Sequence, residues 1–308
     1  MRYRRLGKTQ VRVSVIGVGT WQFGGEWGKD FQPDEVEAIL KTAGDLGVNF
    51  IDTAECYGDH LSERLIGQAI KGQRDNWIIA TKFGHRFLSA LERTNIYEPN
   101  EIQRQLEDSL RALKTDYIDL YQFHSGTDAM FDTEGLWDML GRQQQMGRIR
   151  HLGLSIAKSY DGEHQILDAR GVGAETLQVV YNRLHRKHET RTFEACIQMD
   201  LGVLARVPLA SGYLTGRYTK ETQFGQNDVR GAWISEAERL SMLEQVEKIR
   251  ETEVPAGLSM AQWALVWPLL HPAVSVVIPG CKNAEQARSN ALAADLDLVD
   301  DGHRLAVT

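Results

Sequence analysis

Cysteine is scarce in this chain. Its three residues, Cys56, Cys196 and Cys281, are too few and too scattered for a disulfide framework or a zinc knuckle. A reducing, cytoplasmic setting fits such usage. A basic excess is also missing: 35 Lys and Arg stand against 42 Asp and Glu, for a formal net charge of -7. With no basic cluster to neutralise phosphates, a nucleic-acid footprint is excluded. There is no uninterrupted apolar run either. Leu258–Ile278 comes nearest to a membrane span, but Gln262, Pro268, His271 and Pro272 divide it into a helix over about Ser259–Trp267 and a β-branched strand around Val274–Ile278. Met1–Leu6 is basic but leads into an alternating segment rather than an apolar h-region, so no secretory signal is expected. No linker, low-complexity tract or charge block divides residues 1–308, which are expected to form one domain.

What is present is the composition of a globular protein, 42% hydrophobic and 25% charged, with short β-branched runs alternating with longer stretches of helical period. Eight runs read as strands: Val13–Val18, Val48–Asp52, Trp77–Lys82, Tyr117–Phe123, Ile149–Ser155, Leu177–Tyr181, Val203–Pro208 and Val274–Pro279. Between them, Ile102, Leu106, Leu110 and Leu113 mark an amphipathic helix with Asn100 as its N-cap. Val36, Ile39, Leu40 and Ala43 mark another, and Leu136, Trp137 and Leu140 a third. This alternation predicts an α/β fold, a single (β/α)8 TIM barrel with extra helices and loops. Tyr3–Gly7 followed by Val11–Ser14 predicts an N-terminal β-hairpin able to plug the barrel bottom. The polar stretch Thr219–Gly231 predicts a mobile loop beside the barrel mouth.

In such a barrel the C-terminal strand ends build the site. Polar residues that terminate apolar runs are therefore the informative ones: Asp52, Lys82, His124 and Ser155. A Lys beside an Asp on buried strands can be a plain structural ion pair. Tyr57, five positions beyond Asp52, makes the group more pointed. A phenol has an ordinary pKa of about 10 and needs a nearby cation to exchange protons near neutrality. Lys82 supplies that charge, Asp52 holds Lys82, and His124 donates a hydrogen bond to a carbonyl oxygen, a set suited to carbonyl reduction.

The run Asp52–Gly58 with Ser62 and Glu63 behind it, Thr81–Lys82, the strand ending at His124, Gly153–Ser155, Pro208–Gly216 and Ile278–Gly280 together resemble the aldo-keto reductase family over nearly the whole chain. Arg206 ahead of Val207, Pro208 and Leu209 is similar to a bacterial-type branch. The resemblance implies NADPH/NADP+ as cofactor, no metal, and Asp52, Tyr57, Lys82 and His124 as catalytic tetrad. It further implies Ser155 and Gln178 on the nicotinamide carboxamide, with Ile156 where the family usually has Asn, and Arg206 stacked on the ring. The pyrophosphate is expected along Leu209, Ser211 and Gly212 with Arg217, while Gly280, Lys282, Gln286 and Asn290 surround the adenosine 2'-phosphate and adenine. Gly19, Thr20, Trp21, Asp52, Val207 and Pro208 complete the expected cofactor contacts. Because Gln286 stands where well-studied branches carry Arg, preference for NADPH over NADH rests on Lys282 and is expected to be reduced.

The implied activity is reduction of an aldehyde or ketone to an alcohol by hydride transfer, with Tyr57 as general acid. Trp21, Trp27, Tyr57, Phe83 and His124 are the expected substrate walls, and Arg86, Phe87 and the Gln223–Trp233 segment the expected specificity loops. The partner is a small carbonyl or alcohol, with neither nucleic acid nor membrane. A cofactor-sensing regulatory subunit of the same fold is the alternative; with no inactivation segment expected ahead of the hairpin, the enzyme is favoured. His185, His188 and Glu189 lack zincin or inverzincin spacing and read as a solvated helix start. Cys56 adjoins the expected acid and Cys281 the phosphate site.

Overall fold

The computed structural model describes residues 1–89, 92–160, 162–225 and 228–307, apart from the side chains of residues 232 and 233. The strands in chain order are β1 (Tyr3–Arg5), β2 (Arg12–Ser14), β3 (Val18–Gly19), β4 (Phe50–Asp52), β5 (Ile78–Phe83), β6 (His85–Ser89), β7 (Glu92–Asn95), β8 (Ile118–His124), β9 (Ile149–Ser155), β10 (Ala174–Val180), β11 (Gly202–Arg206), β12 (Val274–Ile278) and β13 (Ala306–Val307). Eight of them form one parallel sheet in the order β3, β4, β5, β8, β9, β10, β11, β12. Parallel bridges Ile16–Val277 and Gly19–Gly280 join its two edges, so the sheet closes as a (β/α)8 barrel. The closure is tight: a Cβ on Gly19 would stand 2.7 Å from the Ile278 carbonyl oxygen.

The expected run Val13–Val18 joins two elements that the fold separates. Residues 12–14 belong to β2, which pairs antiparallel with β1, and the barrel strand is the short β3. β13 pairs with the other edge of β1, making a three-stranded sheet under the barrel. From this sheet Leu6 and Val13 enter the barrel interior, against Phe50, Ala80, Leu120, Leu204, Val276 and Ile278. Gly7 follows in the left-handed region, and a Cβ there would lie 2.1 Å from the Gly202 nitrogen, so the plug seats directly against the start of β11. Arg4 beside it is buried and donates to the carbonyls of Val274 (2.7 Å) and Leu269 (2.9 Å).

The helices pack their apolar stripes outside the sheet. Pro33–Asp45 buries Val36, Ile39, Leu40 and Ala43, and Pro99–Leu113 buries Ile102, Leu106 and Leu113. In the latter, Pro99 takes the first turn and Glu98 the N-cap, so Asn100 lies inside the helix. The break near Pro268 appears as Met260–Val266 followed by a 3-10 turn over Trp267–Leu270. Among the described residues, no helix is long and apolar enough to cross a membrane.

The described part of the loop expected to be mobile is pinned. The Val229 amide donates to the Glu26 carbonyl (3.2 Å), Trp27 and Asp228 form an antiparallel bridge, and Arg230 pairs with Asp228. Gln226, Asn227 and the Trp233 side chain of that segment lie outside the described residues. His188 is a second correction. It precedes the helix Arg191–Met199 and is buried, with Nδ1 3.1 Å from Thr192 Oγ1 and its ring beside that of Phe193.

Leu6→Ala should remove about 2–5 kcal/mol of unfolding free energy, the usual cost of truncating a fully buried leucine. Chemical denaturation measures it, and a loss below about 1 kcal/mol would show that the plug is dispensable.

Candidate active site

A cavity of about 670 Å³ opens at the C-terminal strand ends, within the usual range for a ligand pocket. Its chemistry is organised around Lys82 on β5, which is fully buried. The ammonium donates to Asp52 Oδ1 (2.7 Å), the Thr53 carbonyl (2.6 Å) and the Tyr57 hydroxyl oxygen (3.2 Å). Burial works against this charge, but Asp52, Tyr57 and the hydrogen bonds hold its pKa above the usual lysine range. Asp52 Oδ2 accepts from Gln178 Nε2 (2.6 Å) and Gln122 Nε2 (3.3 Å), so the carboxylate is fixed from two further strands.

Tyr57 sits just beyond β4 with its ring stacked on Trp21 at 5.8 Å between centroids. Burial pushes its phenol up to about 12, with Lys82 pulling the other way and the Asp52 charge adding to the rise. The net direction is therefore opposite to the expected approach to neutrality: Tyr57 rests protonated. His124, at the end of β8, lies edge-on to Tyr57 with centroids 6.3 Å apart. Burial, then the charges of His85, Lys82 and Arg93, drive its pKa well below the usual value, so its imidazole is neutral and carries a single N–H. The Tyr97 hydroxyl donates to the His124 carbonyl (2.7 Å) and fixes the strand end.

Of the expected cofactor residues, Gly19, Thr20, Trp21, Asp52, Gln178, Arg206, Val207, Pro208, Leu209, Ser211, Gly212, Arg217, Gly280, Lys282, Gln286 and Asn290 all line this cavity. Ser155 does not; it lies behind the wall and donates to Gln178 Oε1 at 3.4 Å. Arg206 donates from Nη2 to the Ile156 carbonyl (2.9 Å), while its buried Nε has no partner. After β11 the backbone turns through left-handed conformations at Val207, Ala210, Ser211 and Gly212. Such conformations are costly for side-chain-bearing residues, above all a β-branched one, and successive turned amides form anion-binding nests. Gly280 brings its backbone against the Gln22 side-chain amide, and a Cβ there would fall 2.0 Å from Gln22 Nε2. Lys282 donates to the Trp27 carbonyl (2.8 Å), and burial followed by Arg230 lowers its pKa. The orphaned Arg206 donor, the turned amides and the cations Arg217 and Lys282 fit an anionic dinucleotide with one end at Arg206 and its phosphates toward Lys282.

On the substrate side, Trp21 and Trp27 meet edge-on at 5.1 Å and line the cavity with Tyr57 and His124. Phe83 is a correction. It follows inward-pointing Lys82 and, by the two-residue period of a strand, faces outward into a cluster with Tyr97, Tyr121, Phe123 and Trp137 rather than the cavity. Arg86 and Phe87 do lie on the excursion that follows β5, the hairpin of β6 and β7, but the residues it sends to the cavity are His85 and Arg93. Arg93 Nη2 and Trp21 Nε1 both donate to Glu26 Oε2, each at 2.5 Å. Glu55, which sequence reading passed over, is buried behind His124; burial raises its carboxyl to about 7, against the hydrogen bond from the His85 amide. Polar residues flanking Tyr57, or alternating along β6 and β7, were the available signals for these.

Comparison with known proteins agrees with this geometry. The sequence profile of the aldo/keto reductase family matches residues 15–305. The chain is 32% identical over 304 residues to the uncharacterised oxidoreductase YqkF of Bacillus subtilis, covering 96% of this chain and 92% of that one. It is 27% identical over 311 residues to the NADH-specific methylglyoxal reductase of Escherichia coli, covering 96% and 94%. Among solved structures, the aldo-keto reductase of Klebsiella pneumoniae in complex with NADPH superposes with a TM-score of 0.73 at 28% identity, covering 99% and 93%. The chain belongs to the aldo/keto reductase family.

Proposed function

We propose that this family oxidoreductase is an NADPH-dependent reductase of aldehydes or ketones, formed by one barrel unit over residues 1–308. The observation that carries the reading is the Tyr57 hydroxyl held 3.2 Å from the buried Lys82 ammonium, at the wall of a cavity that also holds the neutral His124. When bound, the reduced nicotinamide supplies the hydride that adds to the carbonyl carbon. The chain's own residues manage the oxygen. His124 donates its N–H to the carbonyl oxygen and orients it, while Tyr57 gives up its proton as negative charge develops there. The phenolate that remains is stabilised by Lys82, which Asp52 keeps charged, and regains a proton from solvent. One hydride and one proton make the alcohol; in the reverse direction Tyr57 is the base.

NADPH over NADH is supported by the Lys282 ammonium at the start of the last helix, Ala284–Leu292. The E. coli relative is NADH-specific and the K. pneumoniae structure holds NADPH, so family membership alone does not choose between the two and the reading rests on Lys282. Three buried free thiols are in keeping with a reducing cytoplasm.

Tyr57→Phe and Lys82→Met should each lower kcat for an aromatic aldehyde by about 10²–10⁴, the usual worth of a general acid, with NADPH binding little changed. Turnover surviving in Tyr57→Phe would refute the assignment; tight NADPH binding without turnover in the wild type would instead favour a cofactor-sensing subunit. The raised Tyr57 pKa sets the pH dependence. The acid form fills the whole range below about 12, so aldehyde reduction should not lose its acid as pH rises from 6 to 9, whereas alcohol oxidation should climb as phenolate accumulates. Paired pH profiles test this, and an oxidation rate that fell with pH would contradict it. Lys282→Ala should weaken NADPH by roughly tenfold to a hundredfold, the worth of a charge-assisted hydrogen bond, and leave NADH unchanged in fluorescence titrations.

A further inference from the structure

Behind the cavity wall, Glu55 Oε2, Cys56 Sγ and His124 Nδ1 converge within 4.8 Å of one another. Among the described residues, no other group of three His, Cys, Asp or Glu side chains brings its ligating atoms together in this way. Cys56 Sγ is 3.8 Å and Glu55 Oε2 3.9 Å from His124 Nδ1. Glu55 Oε1 is engaged by the His85 amide at 2.9 Å, whereas Oε2 is buried with no hydrogen-bond partner. An orphaned, fully buried carboxylate oxygen costs stability unless something occupies it. A thiol and an imidazole nitrogen in the same small space define what that something is.

We propose that Glu55, Cys56 and His124 form a binding site for a thiophilic divalent cation of the Zn²⁺ class, distinct from the cofactor cradle, and that occupancy switches carbonyl turnover down. One sulfur, one nitrogen and one oxygen are the donor set of zinc rather than of magnesium or calcium, which take oxygen ligands. Bond lengths of about 2.0–2.3 Å place tetrahedral ligands roughly 3.3–3.8 Å apart. The sulfur and nitrogen are already at that spacing, and the carboxylate needs to swing by less than about 1 Å, with water as fourth ligand. Coordination replaces the Cys56 S–H bond by an S–metal bond and releases that proton to solvent; no electrons are transferred. The Glu55 carboxylate and the Cys56 thiolate neutralise the ion. The His85 amide on Oε1 and the Tyr97 hydroxyl on the His124 carbonyl supply the outer shell that orients the ligands. Entry is from the cavity, which His124 lines.

The consequence for turnover follows from the shared histidine. A metal on Nδ1 ties the His124 ring to Cys56 and Glu55, so the imidazole can no longer turn to follow the carbonyl oxygen as negative charge develops there. The site therefore acts as an inhibitory one.

The test titrates the full-length protein with Co²⁺ alone. The expected result is one equivalent bound, with a thiolate-to-cobalt charge-transfer band and the intense visible bands of a four-coordinate ion, both erased by Zn²⁺ and unaffected by excess Mg²⁺. Cys56→Ser should abolish the charge-transfer band, and Glu55→Gln should weaken binding at least tenfold. Glu55→Gln also stands in should the cysteine variant fail to fold. Stoichiometric Zn²⁺ should lower aldehyde turnover at least tenfold in the wild type and not in Cys56→Ser. Absence of the cobalt–thiolate band, its persistence in Cys56→Ser through Cys196 or Cys281, or full binding without loss of turnover would each overturn the proposal. The binding readout needs no turnover, so its failure is distinguishable from failure of the reductase reading.

Discussion

Burial of the Lys82 ammonium is the constraint on which the barrel mouth depends. An unpaired charge in that position would be prohibitively costly, and an ammonium has three protons to place. All three are placed: on Asp52, on the Thr53 carbonyl and on the Tyr57 oxygen. Asp52 in turn must satisfy its second oxygen, which it does through Gln178 and Gln122. One ion pair thus ties together β4, β5, β8 and β10. Tyr57 is held because the ammonium needs a third acceptor; since the phenol accepts there, its own proton is left for the cavity. In the proposed mechanism, the arrangement that stabilises the charge is also the one that presents the acid.

A second set of constraints lies in the backbone. The first and last barrel strands approach so closely at Gly19 that a β-carbon would meet the Ile278 carbonyl, and at Gly280 one would meet the Gln22 side-chain amide. Across the mouth, the left-handed turns at Val207, Ala210, Ser211 and Gly212 are conformations that side-chain-bearing residues avoid unless their surroundings enforce them. Here β11 and the cluster of Tyr213, Leu214, Trp263 and Ala264 on either side of the turns enforce them. Their amides and the side chains of Arg206, Arg217 and Lys282 form a local positive field inside a protein whose formal charge is -7.

The barrel strands are legible in the sequence because buried parallel strands read as continuous β-branched runs, and the ends of those runs are where polar residues interrupt them. Asp52, Lys82, His124 and Ser155 are visible for that reason, whereas Gln178 enters only through the family resemblance. The pairing of β13 with β1 is not visible, since two residues at the far end of a chain carry no periodicity. Val13 and Val18 merge into one apparent run because two apolar segments with a bend between them have the same composition as one strand. Phe83 misleads in the opposite sense: its proximity to Lys82 in sequence suggests the cavity, but alternation along β5 sends it to the other face. His188 reads as solvated only while Thr192 and Phe193, on the helix that follows, are left out; folded, that helix start meets its ring.

The substrate wall shows most clearly where local sequence reading stops. Glu26 belongs to the segment after β3, Trp21 to the turn before it, Arg93 to the hairpin inserted after β5, and each is unremarkable by itself. Together they form a knot: Glu26 accepts from Trp21 and from Arg93, and the Arg93 guanidinium lies 5.9 Å from the Trp21 ring. The same segment is gripped from the opposite side by the Val229 amide on the Glu26 carbonyl and by Lys282 on the Trp27 carbonyl. Excursions from four strands, β3, β5, β11 and β12, are therefore tied to one another. Lys282 belongs at once to the phosphate end of the cradle and to the aromatic wall, so a charge arriving at that end competes with the hydrogen bond that holds Trp27. In the proposed reductase, the wall beside the carbonyl compound and the cation facing the cofactor phosphates are therefore linked through a single backbone carbonyl, that of Trp27.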